Sequence, residues 1–200
     1  MTIEINNITP RQKLTIAKGL CDYQFIMENW QTNNEDFKEV YYEFYLKARW
    51  AVMTKANNIN PYFKKLQNIS PTEDLVKIIK ELSEEMEQQS FEFSLGSKLL
   101  HTRNPSVPIY DSKVKNYLAK EENVEFWWNR SKDMYGSSAP RSVSELDKIK
   151  HDWINLCEWY NQFLSSSRGE EWVNWFDNNF PNYKNISNLK KIDFIIFVAT

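Results

Sequence analysis

The stretch that decides the fold reads LGSKLLH at positions 95–101 and PIYDSKV at positions 108–114. In the first part Gly96 stands two residues before Lys98, and in the second Pro108 stands three residues before Asp111. Glycine and proline often lie in turns and at the ends of helices. The pattern therefore predicts a glycine turn before Lys98 and a helix that begins just after Asp111. One amine and one carboxylate would then lie at two helix starts, where they form a candidate pair of nucleophile and general base.

Most of the remaining chain predicts helices. Only four of the 200 residues are glycine, which is few for a sheet protein with tight turns. The first helical run is expected from Pro10 to about Trp30, with Leu14, Ala17, Leu20 and Cys21 on one face, and another is expected to start at a capping box at 70–73. The C-terminal segment 189–199 has helical spacing, although its β-branched residues leave a strand open. We therefore predict an all-α, compact multi-helix fold over 1–200, either as one unit or as two lobes around a cleft.

Composition narrows the classes of function. With a net charge of −2, the protein as a whole does not attract nucleic acid or acidic membranes electrostatically. Any contact with DNA therefore requires a local patch of basic residues. No apolar run is long enough to span a bilayer, and the chain opens on a polar segment, so we expect a cytoplasmic protein with no membrane partner. Cys21 and Cys157 are expected to be buried thiols, and the scattered histidines and cysteines lack zinc spacing, so neither a metal nor another cofactor is expected.

The order Gly-x-Lys at 96–98 and Asp-x-x-Val at 111–114 resembles the helix-hairpin-helix–GPD superfamily of DNA glycosylases. The resemblance covers about residues 91–118, within a glycosylase-like core at about 70–165. It implies that Lys98 is the nucleophile and Asp111 the general base that also stabilises a sugar cation, with or without lyase activity. Two differences from the family are visible: the hairpin has one glycine instead of two, and the interval between Lys98 and Asp111 is shorter.

DNA is the expected partner, and the basic residues around the motif supply the expected patch. The candidate DNA contacts are Gly96, Ser97, His101, Arg103, Lys113 and Lys115, with Lys120, Lys190 and Lys191 as extensions. The candidate base pocket consists of Tyr110, Trp127 and Trp128, whose rings are suited to stacking.

Three functions stay open at this point. The first is an enzyme that excises a base from DNA. The second is a nucleic-acid-binding module that kept the fold without the chemistry, and the third is a helical interaction domain. Asp111 also has a structural interpretation as a helix N-cap, which is compatible with a catalytic role because a capping carboxylate can face a cleft.

Overall fold

The computed structural model of the chain describes residues 3–46, 59–86, 93–127 and 143–200, and it confirms the all-α prediction for them. These residues form a compact multi-helix fold without a β-strand. Short 3₁₀ turns lie at Ile5–Asn7 and Pro181–Tyr183, and a π-helical turn lies at Tyr42–Leu46. The α-helices are α1 (Pro10–Asn29), α2 (Glu35–Tyr41), α3 (Asn60–Asn68), α4 (Leu75–Glu85), α5 (Phe93–Arg103), α6 (Ser112–Glu121), α7 (Val143–Leu164), α8 (Ser167–Asn179) and α9 (Asn188–Ala199).

Helix α5 lies at the centre of the fold and is buried on every face. All ten residues of 93–102 are buried. Helix α5 packs against α3 and α4, while α9 packs against α1, α6 and α8. No helix in the described part of the chain has both the length and the apolar composition that crossing a membrane requires.

The first helix has the predicted bounds but buries a different face. Thr9 and Gln12 form a capping box, and Pro10 occupies the first helical position, so the start is fixed locally. The predicted face is wrong for Leu14, which is 71% exposed, and for Cys21, which is also exposed. The stripe that faces the core contains the bulkier apolar side chains, namely Ile16, Leu20, Tyr23 and Ile26.

Two further helix starts can be compared with their predictions. The predicted cap at Ser70 is wrong, because α4 begins at Leu75 and Asp74 accepts the capping hydrogen bond from the amide of Lys77. Ser70 and Glu73 close the preceding turn instead, through hydrogen bonds in both directions. The prediction of a helix that begins just after Asp111 is confirmed by α6.

Gly96 does not form the predicted turn. It lies inside α5, and no glycine in the described residues has a positive φ. A Cβ atom at this position would lie 2.7 Å from Cγ1 of Ile79 on α4. Gly96 therefore lets two helices approach closely, and the glycine hairpin that the motif predicted is replaced by continuous helix.

We expect Gly96→Val to lower the free energy of unfolding by about 1–3 kcal/mol, because the added side chain overpacks the contact with Ile79. Ala119→Val is the matched control, since Ala119 lies exposed on α6, and it is expected to cost less than about 1 kcal/mol. Urea unfolding of both variants measures the difference. Equal destabilisation would show that the contact between α4 and α5 tolerates a larger residue.

Candidate functional site

A partly open cavity of about 570 Å³ lies between α1, the π-helical turn, α5, the start of α6 and α9. Both Lys98 and Asp111 line it, and Asp111 lies at a helix start as predicted, but the prediction is wrong for Lys98, which lies inside α5. The other lining residues are Thr15, Lys18, Gly19, Asp22, Glu43, Phe44, Tyr45, Ile109, Lys190, Asp193, Phe194, Phe197 and Val198. The wall therefore combines aromatic rings with three lysines and four carboxylates.

Lys98 reaches the cavity from the buried helix α5. Only 7% of the residue is exposed, and its Nζ donates a hydrogen bond of 2.8 Å to the backbone carbonyl oxygen of Tyr45. This contact fixes the amine against the π-helical turn. Because a neutral amine also donates, the hydrogen bond is compatible with either protonation state of Lys98.

Asp111 serves as the N-cap of α6 and also faces the cavity. Its Oδ1 accepts a hydrogen bond of 2.8 Å from the amide of Lys113, and the residue is partly exposed. Among the described residues, no hydrogen bond reaches Oδ2. One oxygen thus anchors the carboxylate, and the other is available to a ligand.

The Ser97 side chain is one of the contacts that join the two segments carrying Lys98 and Asp111. The Ser97 hydroxyl donates to the carbonyl of Ser94 at 3.0 Å and accepts from the backbone amide of Tyr110 at 3.0 Å. Ser97 and Tyr110 are the immediate neighbours of Lys98 and Asp111 in the chain. The Ser97–Tyr110 hydrogen bond therefore helps to set how the amine and the carboxylate lie relative to each other.

Lys190 and Lys191 do not extend a basic surface. Lys190 is 4% exposed and forms an ion pair of 2.5 Å with Asp193, whereas Lys191 is 2% exposed and forms one of 2.8 Å with Asp177. Sequence reasoning missed the pair of Lys190 and Asp193 as part of the cavity. The sequence does contain a pattern that predicts this ion pair, because Lys190 and Asp193 are opposite charges three residues apart on a largely apolar helix.

Several predicted DNA contacts lie inside the protein or face other elements. Gly96, Ser97 and His101 are buried in α5, and burial leaves their side chains no surface to offer a phosphate. Arg103 donates to the carbonyls of residues 66 and 67, and its guanidinium lies 4.1 Å from the ring centre of Trp30. These side chains therefore tie helices together where the sequence suggested a patch.

His101 is held as a neutral imidazole. A carbonyl only accepts, so Nδ1 donates to the oxygen of Val107 at 2.7 Å, and Nε2 accepts from the hydroxyl of Tyr23 at 3.1 Å. Burial, together with the positive charge of Lys190, lowers the pKa of His101 from 6.5 to about 3. His101 is thus uncharged near neutral pH and adds no cation to the motif.

The remaining basic candidates are nearer the surface. Lys113 is exposed, and its Nζ donates a hydrogen bond of 3.1 Å to the backbone carbonyl of Phe197. The same Nζ lies 4.2 Å from the centre of the Phe197 ring. Phe197 is 43% exposed at the edge of the cavity. Lys115 is half-buried and lies near the rings of Tyr110 and Phe126. Lys113 therefore lies beside the cavity entrance.

The predicted base pocket is not brought together at this cavity. Tyr110 is buried, stacks on Phe93 with ring centres 3.8 Å apart, and donates its hydroxyl to Asp152 at 3.3 Å. Trp127 is 52% exposed and stacks on His151, with ring centres 3.4 Å apart. Trp128 lies outside the described residues.

The aromatic rings that do line the cavity are Phe44, Tyr45, Phe194 and Phe197. No group of three or more histidine, cysteine or acidic side chains in the described ranges is arranged to hold a metal ion. Comparison with known proteins found no relative, because the chain matches no protein-family model, no curated protein and no solved structure. The resemblance to glycosylases rests on the motif residues alone.

We expect Asp111→Ala to lower the free energy of unfolding by about 1 kcal/mol, because α6 loses its capping acceptor. Asp111→Asn keeps a capping oxygen, and we expect it to stay within about 0.5 kcal/mol of the wild type. Urea unfolding of the two variants distinguishes the stability that comes from the capping hydrogen bond from the stability that comes from the negative charge. Equal losses for both would mean that the carboxylate stabilises the fold by its charge.

His101 gives the stability of the protein a specific dependence on pH. Its pKa is lower in the folded state than in the unfolded chain, so the unfolded state takes up the proton first as the pH falls below about 6.5. Stability is then lost by up to about 1.4 kcal/mol per pH unit until the folded-state pKa is approached. We expect His101→Asn, which can still donate to Val107, to flatten this decline.

The measurement is urea unfolding between about pH 6 and pH 4. Ala119→Val is the control, since Ala119 lies exposed on α6 and carries no titratable group, and it is expected to keep the wild-type slope. A slope unchanged in His101→Asn would contradict the assignment of a neutral buried imidazole.

Proposed function

We propose that this chain is a DNA glycosylase-like protein that receives a flipped base in the cavity, with Lys98 as the nucleophile and Asp111 as the general base. The observation that carries the proposal is that both side chains line the same cavity. An enzyme that acts on a base in DNA has to take it out of the stack and enclose it. A volume of about 570 Å³ lies within the usual range for ligand pockets.

The cavity wall suits a base more than a phosphate. Phe44, Tyr45 and Phe197 offer ring faces on which a base can stack. The cavity has one more carboxylate than lysine, so phosphates are expected to stay outside, where exposed Lys113 lies beside the entrance. The base and its sugar would then enter alone.

In the reaction we propose, the neutral amine of Lys98 attacks C1′ of the sugar. The bond between C1′ and the base breaks, its electron pair leaves with the base, and the base takes up a proton from solvent water. Asp111 accepts the proton that the amine loses, and its negative charge stabilises the cation-like sugar before the new bond is complete. Opening of the sugar ring yields a Schiff base, which water hydrolyses to release Lys98. In an enzyme without lyase activity, Asp111 would activate water at the same carbon.

A second candidate is a nucleic-acid-binding module without catalysis. It is favoured by the position of Gly96 inside α5, since the described residues contain no glycine hairpin at the motif whose amides would grip a phosphate. The contact between Lys98 and the Tyr45 carbonyl favours it as well, because a structural hydrogen bond accounts for the buried amine.

The test is incubation with single- and double-stranded DNA carrying deaminated, oxidised, alkylated or hypermodified bases, with borohydride to trap a Schiff base. We expect excision and a covalent adduct with the wild type, and no adduct with Lys98→Gln, whose amide keeps an N–H donor but no nucleophilic amine. Asp111→Asn keeps the cap and is expected to slow excision by about 100-fold or more. Lys64→Gln is the matched control, since Lys64 lies on the exposed face of α3, and it is expected to behave as the wild type.

The outcomes separate the candidates. If the base is excised but no covalent adduct with Lys98 is trapped, water is the nucleophile and Asp111 is the general base that activates it. Salt-dependent DNA binding without excision would support the binding module, because phosphate contacts release counterions. Neither excision nor salt-dependent binding across the panel would overturn both and favour a helical interaction domain.

A further inference from the structure

The ammonium of Lys190 is surrounded by aromatic rings. Its Nζ lies 4.9 Å from the ring centre of Phe194, 5.3 Å from Tyr23, 5.6 Å from Phe44 and 5.7 Å from Tyr45. A cation within about 6 Å of a ring centre is attracted by the negative face of the ring. We call these four rings the cage. Cages of this kind are how proteins recognise alkylated ammonium groups.

The cage has its own counterion. Oδ2 of Asp193 lies 2.5 Å from the Lys190 ammonium, and Oδ1 accepts a hydrogen bond of 3.5 Å from the hydroxyl of Tyr160. Asp193 is 7% exposed, so its charge acts in a poorly solvated environment. Ring faces and a buried carboxylate together supply the chemistry that an organic cation requires.

The cage walls come from three different elements and also contact one another. Tyr23 comes from α1, Phe44 and Tyr45 from the π-helical turn, and Phe194 from α9. The rings contact one another, with centres 4.6 Å apart for Phe44 and Tyr45 and 6.1 Å apart for Tyr23 and Phe194. The Lys190 ammonium enters on a flexible four-carbon stem from the first turn of α9, and Lys190 lines the cavity into which this stem could turn.

The cage opens on the cavity and contains an unsatisfied polar group. Phe44, Tyr45 and Phe194 line the cavity together with Lys190 and Asp193. The hydroxyl of Tyr45 is buried and has no hydrogen-bond partner among the described residues. An alkylammonium group that keeps an N–H can donate a hydrogen bond to this hydroxyl oxygen, whereas a quaternary ammonium cannot.

We propose that the cage and Asp193 form a binding site for an alkylammonium group, and that Lys190 is an internal occupant which the ligand displaces into the cavity. The cavity provides room for the displaced side chain, and its excess of carboxylates favours an additional cation. The site shares Phe44 and Tyr45 with the proposed base pocket. Its test uses no DNA, so its failure can be told apart from failure of the proposed glycosylase activity.

The experiment empties the cage with Lys190→Ala and adds tetramethylammonium chloride, with sodium chloride at equal ionic strength as the reference. We expect the melting temperature of the variant to rise with tetramethylammonium concentration and not with sodium. Lys190→Met is the matched control, because its side chain still fills the cage, and it is expected to show no such rise. Removing the counterion in Lys190→Ala/Asp193→Asn is expected to weaken the effect.

Calorimetric titration of the wild type tests displacement. We expect tetramethylammonium to bind about tenfold or more weakly than to Lys190→Ala, because Lys190 has to leave first. If tetramethylammonium binds Lys190→Ala but not the wild type, the proposal that the ligand displaces Lys190 is overturned.

A folded Lys190→Ala variant that responds equally to both salts would overturn the site itself and leave Lys190 as an internal ion pair. If Lys190→Ala does not fold in sodium chloride, refolding in tetramethylammonium is measured by circular dichroism. Recovery with the organic cation alone would support the site, and no recovery would contradict it.

Discussion

Helix α5 is enclosed on every face, and this constraint governs the rest of the structure. A buried polar group that lacks a partner costs about 1–3 kcal/mol, so each polar side chain on α5 has to find one inside the protein. Lys98 finds the Tyr45 carbonyl, His101 finds Val107 and Tyr23, and Ser97 finds the Tyr110 amide. These bonds draw α1, the π-helical turn and the segment before α6 onto one helix. The cavity lies where those three elements meet it.

Much of this arrangement could be predicted from local sequence. Helical spacing and few glycines indicated the all-α class, and the cap at Asp111 marked the start of α6. The residue order predicted Lys98 at a helix start, whereas Lys98 lies inside α5, so its place beside Asp111 on one cavity depends on the packing of the helices. Gly96 could not be interpreted from local sequence either. Whether a glycine makes a turn or admits a neighbouring helix depends here on Ile79, which lies on another helix and has no fixed spacing from the motif.

The charged residues show a different limit of sequence reasoning. Because His101, Arg103 and the lysines of α6 are close in sequence, the sequence predicts that they form one basic patch. In the folded protein they lie in different surroundings. Arg103 caps α3 carbonyls, and Lys191 pairs with Asp177 on α8. Burial and pairing are tertiary properties, so a run of basic residues predicts a surface only when its helix has an exposed face. Helix α5 has none over 93–102.

The hydrogen bond between the Ser97 hydroxyl and the Tyr110 amide has a consequence for the motions of the molecule. An amide that is paired with a side chain exchanges its hydrogen with solvent only when that contact opens. The exchange rate at Tyr110 therefore reports how often the segment carrying Asp111 separates from the helix carrying Lys98. One backbone proton thus measures how firmly these two parts of the cavity wall are held together, in the absence of any ligand.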